Sequence, residues 1–234
     1  TFERFISTIP SSVMKKNPVI HFLDSAVPRR PLLDLLPLLE KNRLDWYTFA
    51  RPESWIPPVT DRLADSGCLM LQLGVESGSQ PLLDRFEKGI NPDTSLEVIR
   101  NCARSGIRTY AYMLLGLPEE TDNDLKVTVR FLERAGKSID FINFSIFNLP
   151  AECELTDRAS EFGIELLEYD SPDDAIRLYR PFLCDGVNPR INARRAVAEY
   201  FSEIPSIAEA LRRTPKWFRT SHFPLIGIPG RKPF

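Results

Sequence analysis

The sequence lacks what a histidine metal cage or a disulfide scaffold requires. Its 234 residues include four cysteines, at positions 68, 102, 153 and 184, and two histidines, His21 and His222. The cysteines are too scattered for a close-spaced metal knuckle and too few to staple a chain of this length, so they read as reduced thiols. Cys68 and Cys102 fit small buried side chains in an apolar strand and helix. Two histidines cannot supply a three-histidine zinc site. No apolar run approaches the roughly 20 residues that span a bilayer, and no signal peptide precedes the first strand-like run. A dominant charge is missing too: 30 Lys and Arg against 32 Asp and Glu leave −2, which excludes the cationic makeup of a general nucleic-acid binder. The expectation is a soluble, cytoplasmic protein without membrane contact.

What is present suffices for a full-sized core, with 43% hydrophobic and 10% aromatic residues. From Val19 to about Asn148 a β-rich run, a turn and an amphipathic segment alternate, the grammar of successive βα units around a parallel sheet. Strands are expected at Val19–Ala26, Trp46–Ala50, Cys68–Val75, Arg108–Leu115 and Ile139–Phe147, each mostly apolar because both faces are covered. Thr94 and Glu97 have capping-box spacing before one helix, and Thr121 and Asp124 open another. Asp65-Ser66-Gly67, Ser105-Gly106 and Ala135-Gly136 provide stops. Pro37 is expected to kink or split the helix at Leu32–Lys41.

After Pro150 the pattern changes. Asp173–Phe182 and Arg194–Arg213 read as helical, with no strand between them, and positions 187–234 carry nine Lys or Arg against three Glu. The expected domains are an upstream element at 1–18, a partial βα barrel at 19–150, and a helical extension with a basic, loose tail at 151–234.

In parallel βα folds ligands gather where the strands end, because loops and helix amino termini converge there. Those ends carry Asp24, Arg51, the turn Gly74-Val75-Glu76-Ser77-Gly78-Ser79, and Gly116-Leu117-Pro118-Glu119-Glu120-Thr121. Gly78 permits positive φ, neighbouring N–H groups can form an anion-cradling concavity, and Glu76 offers a carboxylate.

The ordered set Phe22-Leu23-Asp24, Arg51-Pro52, Gly67-Cys68, Leu73-Gly74-Val75-Glu76-Ser77-Gly78-Ser79-Gln80, Leu83, Lys88-Gly89, Gly106-Ile107 and Leu115-Gly116-Leu117-Pro118-Glu119-Glu120-Thr121 resembles the radical S-adenosylmethionine (radical SAM) superfamily. The nearest branch is that of Fe-S oxidoreductases often fused to a cobalamin-binding domain. The resemblance implies an α/β fold, an open, partial parallel βα barrel. It implies a 4Fe-4S cluster that chelates S-adenosylmethionine and reductively cleaves it to a 5′-deoxyadenosyl radical for hydrogen abstraction from substrate. Cobalamin is a possible further cofactor, and a flavodoxin or ferredoxin the electron donor. Carried over by position, Glu76, Ser77 and Gly78 would meet the ribose or methionine moiety, and Lys88 would pair with the methionine carboxylate. Arg51 would face cofactor or substrate, Leu115, Gly116 and Pro118 would border the adenine, and Asp24 would face the substrate cavity.

The family's Cys-x-x-x-Cys-x-x-Cys loop, whose thiolates hold the cluster iron, is absent, and the four thiols present cannot replace it locally. The expectation is that the loop and any cobalamin domain precede Thr1, and that this polypeptide alone is inactive. Two alternatives stand beside this reading. One is a cluster-less barrel lyase or aldolase using Lys88 or Arg51; the other is a non-catalytic binding module acting through its basic tail.

Overall fold

The computed structural model describes residues 2–24, 26–168 and 178–214. Two short helices, α1 (Phe2–Thr8) and α2 (Ser11–Met14), lead into β1 (Val19–Phe22), α3 (Arg29–Lys41), β2 (Asp45–Ala50), α4 (Thr60–Asp65) and β3 (Cys68–Glu76). Then follow α5 (Gln80–Arg85), α6 (Pro92–Arg104), β4 (Arg108–Leu115), α7 (Asp122–Ala135) and β5 (Phe141–Ile146). The five strands form one sheet in the order β1-β2-β3-β4-β5, and every pair is parallel. Sequential order with a helix-bearing crossover between neighbours is what alternating strand and helix periods dictate.

The sheet's two faces differ. On one, Trp46, Leu71, Leu73, Val75, Ala111, Leu115 and Ile142 pack against Leu32, Leu36 and Leu39 of α3, Ile99 of α6 and Leu125 and Leu132 of α7, forming the main core. On the other, Tyr47, Met70, Tyr110 and Phe141 make a smaller aromatic cluster. Burying the first face anchors the helices, and the second face stays available to line a hollow.

Local chemistry explains the boundaries. Thr121 and Asp124 close a reciprocal capping box at α7, with Asp124 Oδ2 accepting from Thr121 N at 2.9 Å. At α6 the cap is Asn91, whose Oδ1 accepts from Thr94 N at 3.0 Å, not Thr94 as expected; Pro92 then fits the first turn, where no N–H is needed. Helix α3 runs unbroken through Pro37. Pro37 lies on the exposed side, opposite Leu36 and Leu39, so the backbone carbonyl it deprives of a donor is not sealed in the core.

The segment after Pro150 contains strands where helices alone were expected. β6 (Leu149–Pro150), α8 (Glu154–Asp157), β7 (Ile164–Leu166), β8 (Tyr179–Arg180) and β9 (Phe182–Cys184) give two antiparallel pairs, β6 with β8 and β7 with β9. The expected helix Asp173–Phe182 falls partly outside the described residues, and its end is strand. Pro181 removes the donor a helix would need there, and Leu149, Phe162, Ile164 and Phe182 bury one another in a separate small core. The second expected helix divides into α9 (Pro189–Ala196), a π-turn at Val197–Phe201 and α10 (Pro205–Arg213). Ala193, Ala196, Phe201, Ile207 and Ala210 join the main core. The expected tail, Pro224–Phe234, lies outside the described residues. No helix among the described residues is long and apolar enough to cross a membrane.

Where β3 leaves the sheet, Ser77 and Gly78 are locked onto α7. Ser77 Oγ lies 3.2 Å from Thr128 Oγ1, and Gly78 N donates to the same hydroxyl at 3.0 Å. A Cβ on Gly78 would stand 2.7 Å from Thr128 Cα and 2.8 Å from Phe131 Cβ. Replacing Gly78 by Ala should therefore push β3 and α7 apart and lower unfolding stability by about 1–3 kcal/mol in a urea titration; an unchanged midpoint would contradict this packing.

Candidate functional site

A hollow of about 440 Å³ opens at the carboxyl ends of β2 to β5. Three of its lining residues are charged, Arg51, Glu76 and Lys88, and they come from three separate turns. Each is placed by a distinct local device. Glu76 sits at φ +66, after a register irregularity between Gly74 and Glu76 in the pairing with β4. A non-glycine residue in the left-handed region costs on the order of 1 kcal/mol, and such bulges re-aim side chains next to active sites. The pinning of Ser77 and Gly78 on α7 holds that conformation.

Arg51 follows β2 directly. Its guanidinium donates to the Lys88 carbonyl oxygen and lies 3.9 Å from Glu53 Oε1. It thus braces the Lys88-Gly89 turn, where Gly89 takes φ +58 and leaves space for Arg51 Nη2, 3.1 Å from where a Cβ would stand. Lys88 N donates to Leu83 O at 2.9 Å, fixing the turn to the end of α5. Two cations beside one carboxylate suit a ligand that carries a carboxylate together with hydroxyl or ammonium groups.

The remaining predicted residues stand elsewhere. Ser77 and Gly78 face α7 and build the strand exit instead of lining the hollow. Leu115 is fully buried in the main core, Pro118 is buried, and Gly116, at φ +77, lies against α9, 3.2 Å from Ala193 Cβ as measured from an added Cβ. None of the three lines the hollow, because the chain after β4 turns under α9. Asp24 is exposed two residues beyond β1 and is also absent from the lining. The structure therefore joins Arg51, Glu76 and Lys88 and does not bring Asp24, Ser77, Gly78, Leu115, Gly116 or Pro118 to them.

Sequence reasoning missed the floor. Gln72, fully buried on β3, accepts from Tyr112 OH at 2.8 Å and faces His21 Nε2 at 3.4 Å through its amide nitrogen. His21 stacks on Tyr47 with ring centroids 4.1 Å apart, and Tyr112 lies 6.1 Å from Phe49. Burial raises the Tyr112 phenol further above its ordinary range. The available signal was a glutamine inside the otherwise apolar run of β3, with aromatic residues at alternate positions of the strands on either side.

The cysteines do not fit a cluster. Burial pushes the Cys68 thiol well up and Cys102 to about 12. Cys184 is buried on β9, and Cys153 lies beside α8. Among the described residues no three His, Cys, Asp or Glu side chains gather as a metal site.

Residues 24–132 match the family model of the radical SAM superfamily. The match is a likeness to that superfamily over somewhat under half of the chain. Arg51, Glu76 and Lys88 all fall inside the matched span. The chain is 25% identical over 131 residues to a protein of Pyrococcus horikoshii named an uncharacterized methyltransferase, covering 54% of this chain and 28% of that protein. The chain thus spans under a third of that relative's length. Among solved structures, the radical SAM methyltransferase TsrM of Kitasatospora setae, with cobalamin and a 4Fe-4S cluster bound, superposes with TM-score 0.59 at 19% identity, over 82% of this chain and 44% of that one. The cobalamin-dependent enzyme OxsB, with aqua-cobalamin and S-adenosylmethionine bound, gives 0.57 at 15% identity, over 78% and 33%. These likenesses show the fold: an α/β parallel sheet of the partial-barrel type found in radical SAM structures.

One rim carboxyl is set apart. Glu120 Oε2 accepts from Gly116 N at 2.6 Å, while Oε1 is buried with no hydrogen-bond partner among the described residues. Burial pushes Glu120 up to about 7 from 4.5, with the Asp124 charge adding and the Gly116 N–H opposing. Because the folded protein binds this proton more tightly than the unfolded chain, the contribution is full below about pH 4.5 and is lost as pH rises through about 7. Thermal melts across that window should show wild type losing on the order of 3 kcal/mol relative to Glu120→Gln. Parallel pH profiles for the two proteins would refute the assignment.

Proposed function

We propose that this chain is the nucleotide-holding part of a radical SAM enzyme, an Fe-S oxidoreductase whose cluster thiolates lie outside this sequence. The observation that carries the reading is the convergence of Arg51, Glu76 and Lys88, from three turns of the matched segment, on one hollow. The donor set fits S-adenosylmethionine. Lys88, a point charge on a flexible stem, pairs with the methionine carboxylate. Arg51 positions the Lys88 turn and adds positive potential at the same edge, and Glu76 accepts from ribose hydroxyls or the ammonium.

The bound nucleotide would supply, on one-electron reduction, the adenosyl radical chemistry of the family, with a flavodoxin- or ferredoxin-type protein as electron donor. The chain's own work is to bind and orient. The bulge sets the backbone at Glu76 and the Arg51 bond sets the backbone of the Lys88 turn, so the turns that carry both side chains are in place before the ligand docks. Phe49 and Ile90 add apolar walls that limit water. The cysteines of this chain do not fit the cluster, and no step is assigned to them. Cobalamin, bound in TsrM and OxsB, is assigned no residue here; it enters the proposal only as a second cofactor of the whole protein.

Calorimetric titration of the chain with S-adenosylhomocysteine tests the reading. Glu76→Gln and Lys88→Ala should each weaken binding by about 1–3 kcal/mol, the scale of a lost hydrogen bond to a charged group. Asp24→Asn, at an exposed position outside the hollow, should leave affinity unchanged. Undiminished binding in both rim variants would remove this hollow as the nucleotide site.

A further inference from the structure

The charge in the hollow is confined to its mouth, and what lies beneath is neutral and largely aromatic. Register pairing makes this explicit. Phe49, Gln72, Tyr110 and Phe141 stand side by side across β2 to β5, and Gly74, Tyr112 and Asn143 form the next row toward the mouth. Neither row contains a carboxyl or a cationic side chain.

Two details define what would rest there. Gly74 leaves a notch in the upper row: an added Cβ would meet only Glu76 Oε1, at 3.3 Å, and open space otherwise. A flat group can therefore lie against the backbone at Gly74, beside the Phe49–Tyr112 ring pair, whose centroids are 6.1 Å apart. The second detail is Ser145, which lines the same hollow from β5. Its Oγ accepts from Asn143 Nδ2 at 2.7 Å, which leaves the hydroxyl hydrogen to donate. The Gln72 amide is closed between Tyr112 and His21, so it serves as a fixed floor. A carboxylate seated at Gly74 would lose its hydration and face the Glu76 carboxylate, which lies 3.3 Å from an added Cβ.

We infer that the substrate of this domain presents to the floor an uncharged, flat group bearing a hydrogen-bond acceptor, an aryl carbonyl or a ring nitrogen, seated over Gly74 and bonded to Ser145. This rests on the proposed function only in leaving Arg51, Glu76 and Lys88 to the nucleotide.

Three small probes of matched size separate the possibilities: benzamide, cyclohexanecarboxamide and benzoate, titrated against the chain by ligand-observed NMR. Benzamide should bind at least about tenfold more tightly than either of the others. Gly74→Ala, whose backbone conformation permits a side chain, and Ser145→Ala should each weaken benzamide by about fivefold or more, with wild-type melting temperatures as the check on folding. Equal binding of cyclohexanecarboxamide, preference for benzoate, or benzamide affinity untouched by both variants would overturn the inference. Glu76→Gln separates the two readings. Loss of S-adenosylhomocysteine with benzamide retained upholds both. Unaltered nucleotide binding in this variant and in Lys88→Ala, with benzamide retained, removes the proposed nucleotide site alone, and absence of benzamide binding to wild type removes the floor assignment alone.

Discussion

The exit of β3 governs the site. Glu76 holds a backbone conformation that an L-residue adopts at a cost, and it does so because the next two residues have no freedom. Ser77 and Gly78 are held by the Thr128 hydroxyl and by a contact with α7 that only glycine permits. Packing energy from the helix layer is thereby converted into the direction of one carboxylate. The residues that look most like a binding turn are the ones that anchor it, while the residue before them lines the hollow.

The same division recurs around the rim. Arg51 makes its hydrogen bond to a backbone carbonyl in the Lys88 turn, so one cation positions the loop that carries the other. Arg85 of α5 grips Glu119 through Nε at 2.6 Å and Nη2 at 2.9 Å, and this bidentate pair holds the Glu119 carboxyl below the usual carboxylate range while tying α5 to the loop after β4. Loops that would otherwise move independently are joined by charge-assisted bonds. Beneath them the sheet presents neutral side chains, so charge at the mouth and aromatic surface below divide one hollow into two chemistries.

Much of the fold was legible because periodicity reports burial. β4 runs over the expected residues, β2 and β3 within one residue, and the Thr121–Asp124 box closes as its spacing implied. β1 stops earlier than expected, at Phe22, and the segment after Pro150 pairs as short strands because Pro181 forbids the expected helix and four apolar side chains find one another. Arg51, Glu76 and Lys88 could be named from motif order. That Ser77 would turn to α7, or that Leu115, Gly116 and Pro118 would pass under α9, could not, since each depends on contacts with residues 50 to 80 positions away.

Motif order alone pointed to Lys88, whereas the order of hydrophobic and polar residues along the chain was enough to determine a parallel α/β sheet and the rim at which Arg51 and Glu76 stand. Those are properties of period and spacing, which a single chain carries in itself. Which side chain points into the hollow, which is spent on packing, and that Gln72 closes the floor between Tyr112 and His21 were decided only when strands and helices met. The reason is that side-chain direction at a strand end is set by what the neighbouring element already occupies.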